Sequence, residues 1–160
     1  MRDLSVRVLL AAALICGAAA PAWADYWDGK AAYKVGDYAT ALKEWRPLAE
    51  QGDAGAQYNL GFMYDRGYGV PENDAEAVKW YRLASEQGLA VAQSSLGRMY
   101  MGFGGVPKNN IEAYMWLSLA KAQGHERAPS ELDTVKSRMT ADQLAEAQRL
   151  ATEWWEEHME

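Results

Sequence analysis

The feature that most constrains the fold is an internal repeat with a period of 36 residues. Residues 41–73 align with residues 77–109 without a gap, and a third copy begins at Ala113. The identities include small, apolar and turn-forming residues: Ala41/Ala77, Gly52/Gly88, Ala56/Ala92, Gln57/Gln93, Leu60/Leu96, Gly61/Gly97, Tyr64/Tyr100 and Pro71/Pro107. A repeat of this length is one supersecondary unit that buries its apolar face against neighbouring copies, so the sequence predicts a stacked array.

Each period is predicted to form two helices. Ala56, Leu60 and Tyr64 lie at i, i+4 and i+8 and share one helical face. The apolar residues of 77–84 lie at i, i+3, i+4 and i+7, which also places them on one face of a helix. Residues that end or cap helices separate these segments: Gly52, Gly88, the connectors 67–71 and 102–107, Asn73 and Asn109. The sequence therefore predicts an all-α chain, a short right-handed α-α superhelix of about four stacked helical hairpins.

Two sets of repeated residues indicate how the hairpins pack. Gly61 and Gly97 lie in the middle of predicted helices, where glycine costs about 1 kcal/mol relative to alanine. The same cost at the same phase predicts that a neighbouring helix approaches the backbone closely there. Trp45, Trp80 and Trp116 are predicted to fill the space between hairpins, where truncation to alanine typically costs about 3–5 kcal/mol.

The flanking segments are predicted to cap the array. Residues 25–52 form an atypical first hairpin, and residues 53–128 carry the repeats. Pro129 interrupts the pattern, so residues 129–160 are assigned to capping helices, the last of which begins with a Thr140–Gln143 capping box. Polar-faced terminal elements keep a finite stack soluble.

The first 24 residues have the pattern of a cleaved secretory signal peptide. Two arginines precede the uncharged apolar run 8–20, and an A-x-A segment ends at Ala24. A transmembrane anchor is the alternative, but this run is shorter than the roughly 20 residues that a bilayer requires. Cys16 lies inside the run after a bulky Ile15, which disfavours a lipoprotein. We therefore expect a periplasmic or secreted protein without membrane insertion after cleavage.

Composition excludes several functional classes. The net charge is -6, whereas a nucleic-acid binder is expected to be basic, so we expect no nucleic-acid partner. The single cysteine rules out a disulfide framework or a metal site with several thiolate ligands within one chain. Four residues after His125 comes Pro129, not the second histidine of a metalloprotease motif, and no phosphate-loop string is present. We therefore expect no metal and no cofactor.

The repeated residues resemble those of the Sel-1-like repeat family, relatives of the tetratricopeptide repeats. The resemblance rests on residues in register across roughly residues 38–128: Ala56, Leu60–Gly61, Tyr64, Gly69–Val70, Ala77, Trp80, Ala84 and Gly88, with a second copy from Ala92 to Gly124. It implies an α-solenoid whose concave side binds a protein or peptide. It also suggests an adaptor role in envelope signalling, export or stress response. The regularly spaced cysteines of the β-lactamase-like members are absent.

One short motif supports an enzymatic alternative. Ser118 and Lys121 have the S-x-x-K spacing of β-lactamases and penicillin-binding proteins, which on a helix places the lysine one turn from the hydroxyl. The companion S-D-N and K-T-G strings are absent, and Ala120 already has a role in the repeat. A cell-wall serine hydrolase is therefore the alternative to a non-enzymatic interaction protein. A purely structural spacer is a third hypothesis.

A binding surface is predicted on the first helix of each hairpin, which usually lines the inner curve of such arrays. The residues off the packing face are candidates for partner binding: Asn59, Phe62, Arg66, Ser95 and Arg98. Phe62 is expected to be an exposed aromatic anchor. Trp154 and Trp155 point about 100° apart on a helix, so one is expected to cap the array while Trp155 provides a further contact site.

Overall fold

The computed structural model describes residues 22–159, which form eight α-helices and no strand. In chain order the helices are α1 (Ala22–Lys34), α2 (Tyr38–Glu50), α3 (Ala54–Arg66), α4 (Asp74–Glu86), α5 (Ala90–Arg98), α6 (Asn110–Ala122), α7 (Ala128–Lys136) and α8 (Ala141–Met159). The predicted all-α class is confirmed. The predicted signal peptide lies outside the described residues, apart from the three that begin α1. Within residues 22–159, no helix combines the length and the apolar character needed to cross a bilayer.

The helix boundaries follow from the predicted caps. The Oδ1 atom of Asn73 accepts a hydrogen bond from a backbone N–H in the first turn of α4 at 3.1 Å, and Asn109 does the same for α6 at 3.2 Å. Gly52 and Gly88 follow α2 and α4 with φ angles of +98° and +83°. A side chain would be strained in this left-handed conformation, so glycine ends these helices at little cost.

Consecutive helices pack as hairpins that stack on one another. The pairs α1–α2, α3–α4 and α5–α6 form three antiparallel hairpins, and α2 packs on α3 as α4 packs on α5. This order of contacts is that of a solenoid, in which each unit touches its neighbours in sequence. The connection from α5 to α6 differs from the preceding one because α5 continues into a π-helical turn over Met99–Phe103.

The last two helices end the array differently from the hairpins before them. Both α7 and α8 pack on α6, and they have little contact with each other. Leu132 and Val135 of α7 join the cluster around Leu117, whereas Trp154 of α8 packs against Trp116 with ring centroids 5.9 Å apart. Two different faces of α6 are thus covered by the two terminal helices. The predicted capping box at the start of α8 is present in both directions, at 3.0 and 3.2 Å.

The mid-helix glycines mark the close approach of the two helices within each hairpin. A Cβ atom placed on Gly61 lies 2.6 Å from Cδ1 of Tyr81, and one placed on Gly97 lies 2.7 Å from Cγ of Leu117. Contacts this short are sterically forbidden, so only glycine fits beneath these side chains. The close approach predicted from the repeated glycines is confirmed.

Buried tryptophans connect successive hairpins, as predicted. Trp45 and Trp80 lie in one apolar cluster with Leu60 of the second hairpin. Trp116 lies in a second cluster with Tyr81 of the second hairpin, and all three indoles are almost fully buried. Each cluster therefore draws side chains from more than one helix pair, which holds the stack together.

A buried glutamine forms a polar link at each joint between repeats. Gln93 of α5 donates a hydrogen bond to the carbonyl of Ser85 at 3.2 Å and accepts one from Gln123 at 2.9 Å. One repeat earlier, Gln57 makes the equivalent bonds with a carbonyl near the end of α2 and with Gln87, at 3.1 and 2.7 Å. Gln93 on α5 thus links the C-terminal ends of α4 and α6, and Gln57 on α3 links those of α2 and α4.

Candidate functional site

Two adjoining cavities lie on the face formed by α1, α3, α5 and the segment before α7. The aromatic cavity has a volume of about 460 Å³ and is lined by Tyr26, Lys30, Tyr33, Trp45, Gly55, Tyr58, Asn59, Phe62, Leu89 and Val91. The charged cavity has a volume of about 680 Å³, and its walls include Asp65, Arg66, Ser94, Ser95, Arg98, Phe103 and residues 124–127. They adjoin because Tyr58, Phe62 and Val91 line both. We call the two together the groove.

The aromatic cavity is built from rings that pack on one another. Tyr33 lies at the centre, with its ring centroid 5.8 Å from that of Trp45 and 6.3 Å from that of Phe62. Tyr58 packs against Phe62 at 6.5 Å. Aromatic rings held in this way present a large apolar surface at little entropic cost, so this cavity suits an apolar side chain of a partner.

The charged cavity contains three arginines that come from different elements. Arg66 ends α3, Arg98 ends α5, and Arg127 precedes α7. Arg66 lies 3.6 Å from a carboxylate oxygen of Asp65, and Arg98 lies 3.5 Å from one of Glu131. These pairs are long and partly exposed, so they orient the guanidinium groups without sequestering them.

Burial shifts the pKa of several groups around the groove. It raises the pKa of the Tyr58 and Tyr81 phenols, and the nearby Asp65 carboxylate raises the pKa of Tyr81 further. The Tyr81 hydroxyl donates a hydrogen bond to Asp65 at 3.4 Å. Burial also raises the pKa of Glu131, against the opposing effect of Arg98.

The structure brings together five of the six residues predicted to bind a partner. Asn59 and Phe62 line the aromatic cavity, and Phe62, Arg66, Ser95 and Arg98 line the charged one. Trp155 lies elsewhere, on α8, in a smaller cavity of about 270 Å³.

Phe62 differs from its expected state. The expectation of an exposed aromatic is wrong, because its side chain is half-buried in the groove wall. The rings of Tyr33, Tyr58 and Tyr68 surround it, with centroids 6.0 to 6.5 Å away. The exposed aromatic of this region is Phe103, whose surface is 66% accessible.

The adjacent tryptophans of α8 point in different directions, as helical geometry predicts. Trp154 is buried against Trp116 and stacks on His158 with centroids 4.4 Å apart. Trp155 is half-buried and shares its small cavity with Ser118 of α6. Trp154 thus covers the end of the array, and Trp155 keeps part of its surface accessible.

Nothing in the described residues supports the serine–lysine alternative. Ser118 is half-buried, Lys121 is exposed, and no hydrogen bond joins the two in the part of the chain that the structure describes. Lys121 is also not among the residues that line the cavity beside Ser118. Across residues 22–159 there is likewise no cluster of three side chains able to hold a metal ion.

Comparison with known proteins supports the repeat assignment. Residues 54–89 and 90–125 each match the Sel1 repeat model. The fold is similar to that of c5321, a protective antigen of uropathogenic Escherichia coli displaying an SLR fold, with a TM-score of 0.80 and 28% identity over 86% of this chain. It is also similar to a Sel1 repeat protein from Oxalobacter formigenes, with a TM-score of 0.66 and 31% identity over 81% of this chain.

The present chain spans 30% and 55% of the lengths of these two solved chains. Comparison with curated proteins gives no match. Sel1 repeats are helical-repeat scaffolds that bind protein partners. Two tandem segments of the chain thus match the Sel1 repeat, and the described residues form an all-α solenoid similar to solved SLR-fold proteins.

Proposed function

We propose that this chain is a non-enzymatic adaptor that binds a segment of a protein partner along the groove. The observation that carries the proposal is the pair of adjoining cavities, one aromatic and one rich in arginine, on a single face of the array. Their volumes lie in the range of ligand-binding clefts, and aromatic and arginine side chains contribute most of the binding energy at protein interfaces.

We further propose that the adaptor acts outside the cytoplasmic membrane, in the periplasm or after secretion, within envelope signalling or assembly. The support is the signal-peptide pattern of residues 1–24 and the similarity to a protein described as a protective antigen. The test is N-terminal sequencing of the protein recovered from the periplasm of an expressing bacterium. A chain that begins at Asp25 is expected, whereas an uncleaved chain retained in the cytoplasm would contradict this location.

Site-specific crosslinking tests the binding face. A photoreactive phenylalanine analogue replaces Phe103, which is exposed at the rim of the charged cavity, or Leu83, which is 38% accessible on α4 away from both cavities. Irradiation of intact cells is expected to give a discrete crosslinked product from position 103 and none from position 83.

The same experiment is repeated with the double substitution Phe62→Ala and Arg98→Ala, which removes one anchor from each cavity. The crosslink from position 103 is expected to disappear while the helical circular dichroism signal is unchanged. Equal crosslinking from both positions, or a product that survives the double substitution, would refute the assignment of this face. The absence of any crosslinked protein would favour the structural spacer.

A further inference from the structure

Equivalent residues of the first helices show that the groove changes its chemistry along its length. Gly29, Gly61 and Gly97 occupy the same structural position, because a Cβ atom on each meets a side chain of the partner helix at 2.6 to 2.7 Å. Three residues before and one residue after each glycine, the side chains line the groove: Tyr26 and Lys30, then Tyr58 and Phe62, then Ser94 and Arg98. The aromatic pair of α3 is thus replaced on α5 by a hydroxyl and a guanidinium.

The groove is also more positive than the rest of the protein. Its walls carry four basic residues, Lys30, Arg66, Arg98 and Arg127, and two acidic ones, Asp65 and Glu126. The whole chain, in contrast, has a net charge of -6. Basic side chains are therefore concentrated on the face that carries the cavities, which favours a partner of the opposite charge.

The arginines retain donor capacity for a ligand. Among the described residues, no hydrogen bond is made by the guanidinium groups of Arg66, Arg98 or Arg127, and the ion pairs of the first two are 3.5 Å or longer. The side chains of Arg66 and Arg98 are 48% and 39% accessible. His125 adds a buried Nδ1 atom without a hydrogen-bond partner in the described chain, in the wall of the same cavity.

We propose that the groove binds an extended acidic peptide segment, with one apolar side chain in the aromatic cavity and carboxylates against Arg98 and Arg127. This inference rests on the proposed function and specifies the chemistry of its partner. Because Tyr58, Phe62 and Val91 line both cavities, one continuous peptide segment lying along the groove contacts both of them. The apolar side chain and the carboxylates therefore belong to the same short segment of the partner.

Selection from a random twelve-residue peptide library on phage tests this specificity with the purified protein. Retained peptides are expected to be enriched about threefold or more in Asp and Glu, together with an aromatic or leucine residue in the same peptide. The double variant Arg98→Gln, Arg127→Gln is expected to lose the acidic enrichment and keep the apolar one. Arg138→Gln removes one positive charge from an exposed residue outside both cavities, and is expected to select as the wild type does.

A synthetic peptide of the selected consensus then gives the size of the effect by fluorescence anisotropy. Loss of two charge-assisted contacts is expected to weaken binding about tenfold or more, with a smaller dependence of affinity on salt. The pair Arg66→Gln, Arg127→Gln is a second variant in case the first loses helicity.

Three results would overturn the inference, and they have different consequences for the proposed function. Peptides retained by the groove without acidic enrichment would reject an acidic partner and leave peptide binding intact. No retention above that of bare beads would reject both proposals. Self-association of the wild type that Arg98→Gln abolishes would identify a second copy of the chain as the occupant.

Discussion

The buried glutamines at the joints between repeats provide the sharpest test of how the array is held together. Gln93 is fully buried, and its amide makes two hydrogen bonds, one to the Ser85 carbonyl and one from Gln123. Gln93→Met is the appropriate perturbation, because methionine is also unbranched and of similar length but forms no strong hydrogen bond. It therefore removes both bonds while leaving little empty space.

The expected cost is worked from the partners that remain. The Ser85 carbonyl keeps a hydrogen bond from the backbone N–H of Gly88 at 2.9 Å, and Gln123 is partly exposed and turns to water. Neither partner is left unsatisfied, so only the net value of two neutral hydrogen bonds is lost, about 1 kcal/mol each. Gln93→Met is expected to lower the free energy of unfolding by about 2 kcal/mol. Gln93→Ala is expected to lower it further, because it also leaves a cavity.

Urea unfolding followed by circular dichroism at 222 nm measures both variants, and an unchanged dependence on urea confirms that the cooperative unit is the same. Gln123→Ala removes only the outer bond but leaves the buried Oε1 atom of Gln93 without its donor, so it is expected to cost about 1–2 kcal/mol. In a double-mutant cycle, Gln93 and Gln123 are expected to couple by about 0.5–1.5 kcal/mol. A Gln93→Met variant as stable as the wild type, or no coupling, would refute the view that these amides bind successive repeats together.

Three further substitutions test other parts of the structure. Gly61→Ala places a Cβ atom 2.6 Å from the buried Tyr81 ring and is expected to cost about 1–3 kcal/mol in urea unfolding, whereas helix propensity alone predicts a gain of about 1 kcal/mol. Asn109→Ala removes the cap of α6 and is expected to cost about 1 kcal/mol by the same measurement. Burial raises the pKa of Glu131 above 4.5, so protonation favours the folded state; this stabilisation is present below pH 4.5 and is lost as the pH rises through the raised pKa. The Glu131→Gln variant is expected to lack this pH dependence. Plots of the free energy of unfolding against pH that run parallel for the variant and the wild type would contradict the role of Glu131.

The sequence predicts the repeated hairpins well because packing imposes the same residue at the same phase. Gly61 and Gly97 are such a pair, since each lies under a side chain of its partner helix. The first hairpin is harder to recognise. Gly29 has the same role against Trp45, but it lies 32 residues before Gly61, because the α1–α2 connection is four residues shorter than the α3–α4 connection. A comparison at a fixed offset of 36 residues therefore passes over it.

The sequence predicts only those groove residues that lie on regular helices. Phe62 and Arg98 follow from their position off the packing face of α3 and α5. The sequence does not predict Arg127 and Phe103 because both lie in connections between helices. The position of Phe103 depends on the π-helical turn and on Gly102, which has a φ angle of +97°. The burial of Phe62 depends on Tyr33 from the preceding hairpin, which no local pattern of residues specifies.

Some positions hold the same residue in both repeats and others differ, and the two kinds of position have different physical explanations. Positions such as 57/93, 60/96 and 61/97 hold the same residue because each is buried against a neighbouring helix or turn. Positions 58/94, 59/95 and 62/98 lie on the same helices and line the groove, yet each differs between the two copies. Their neighbours differ too, because Phe62 packs on Tyr33 of the first hairpin, whereas Ser94 and Arg98 contact Glu131 of α7. The proposed peptide, which is apolar at one end and acidic at the other, requires such a difference, since its two ends contact different side chains at structurally equivalent positions.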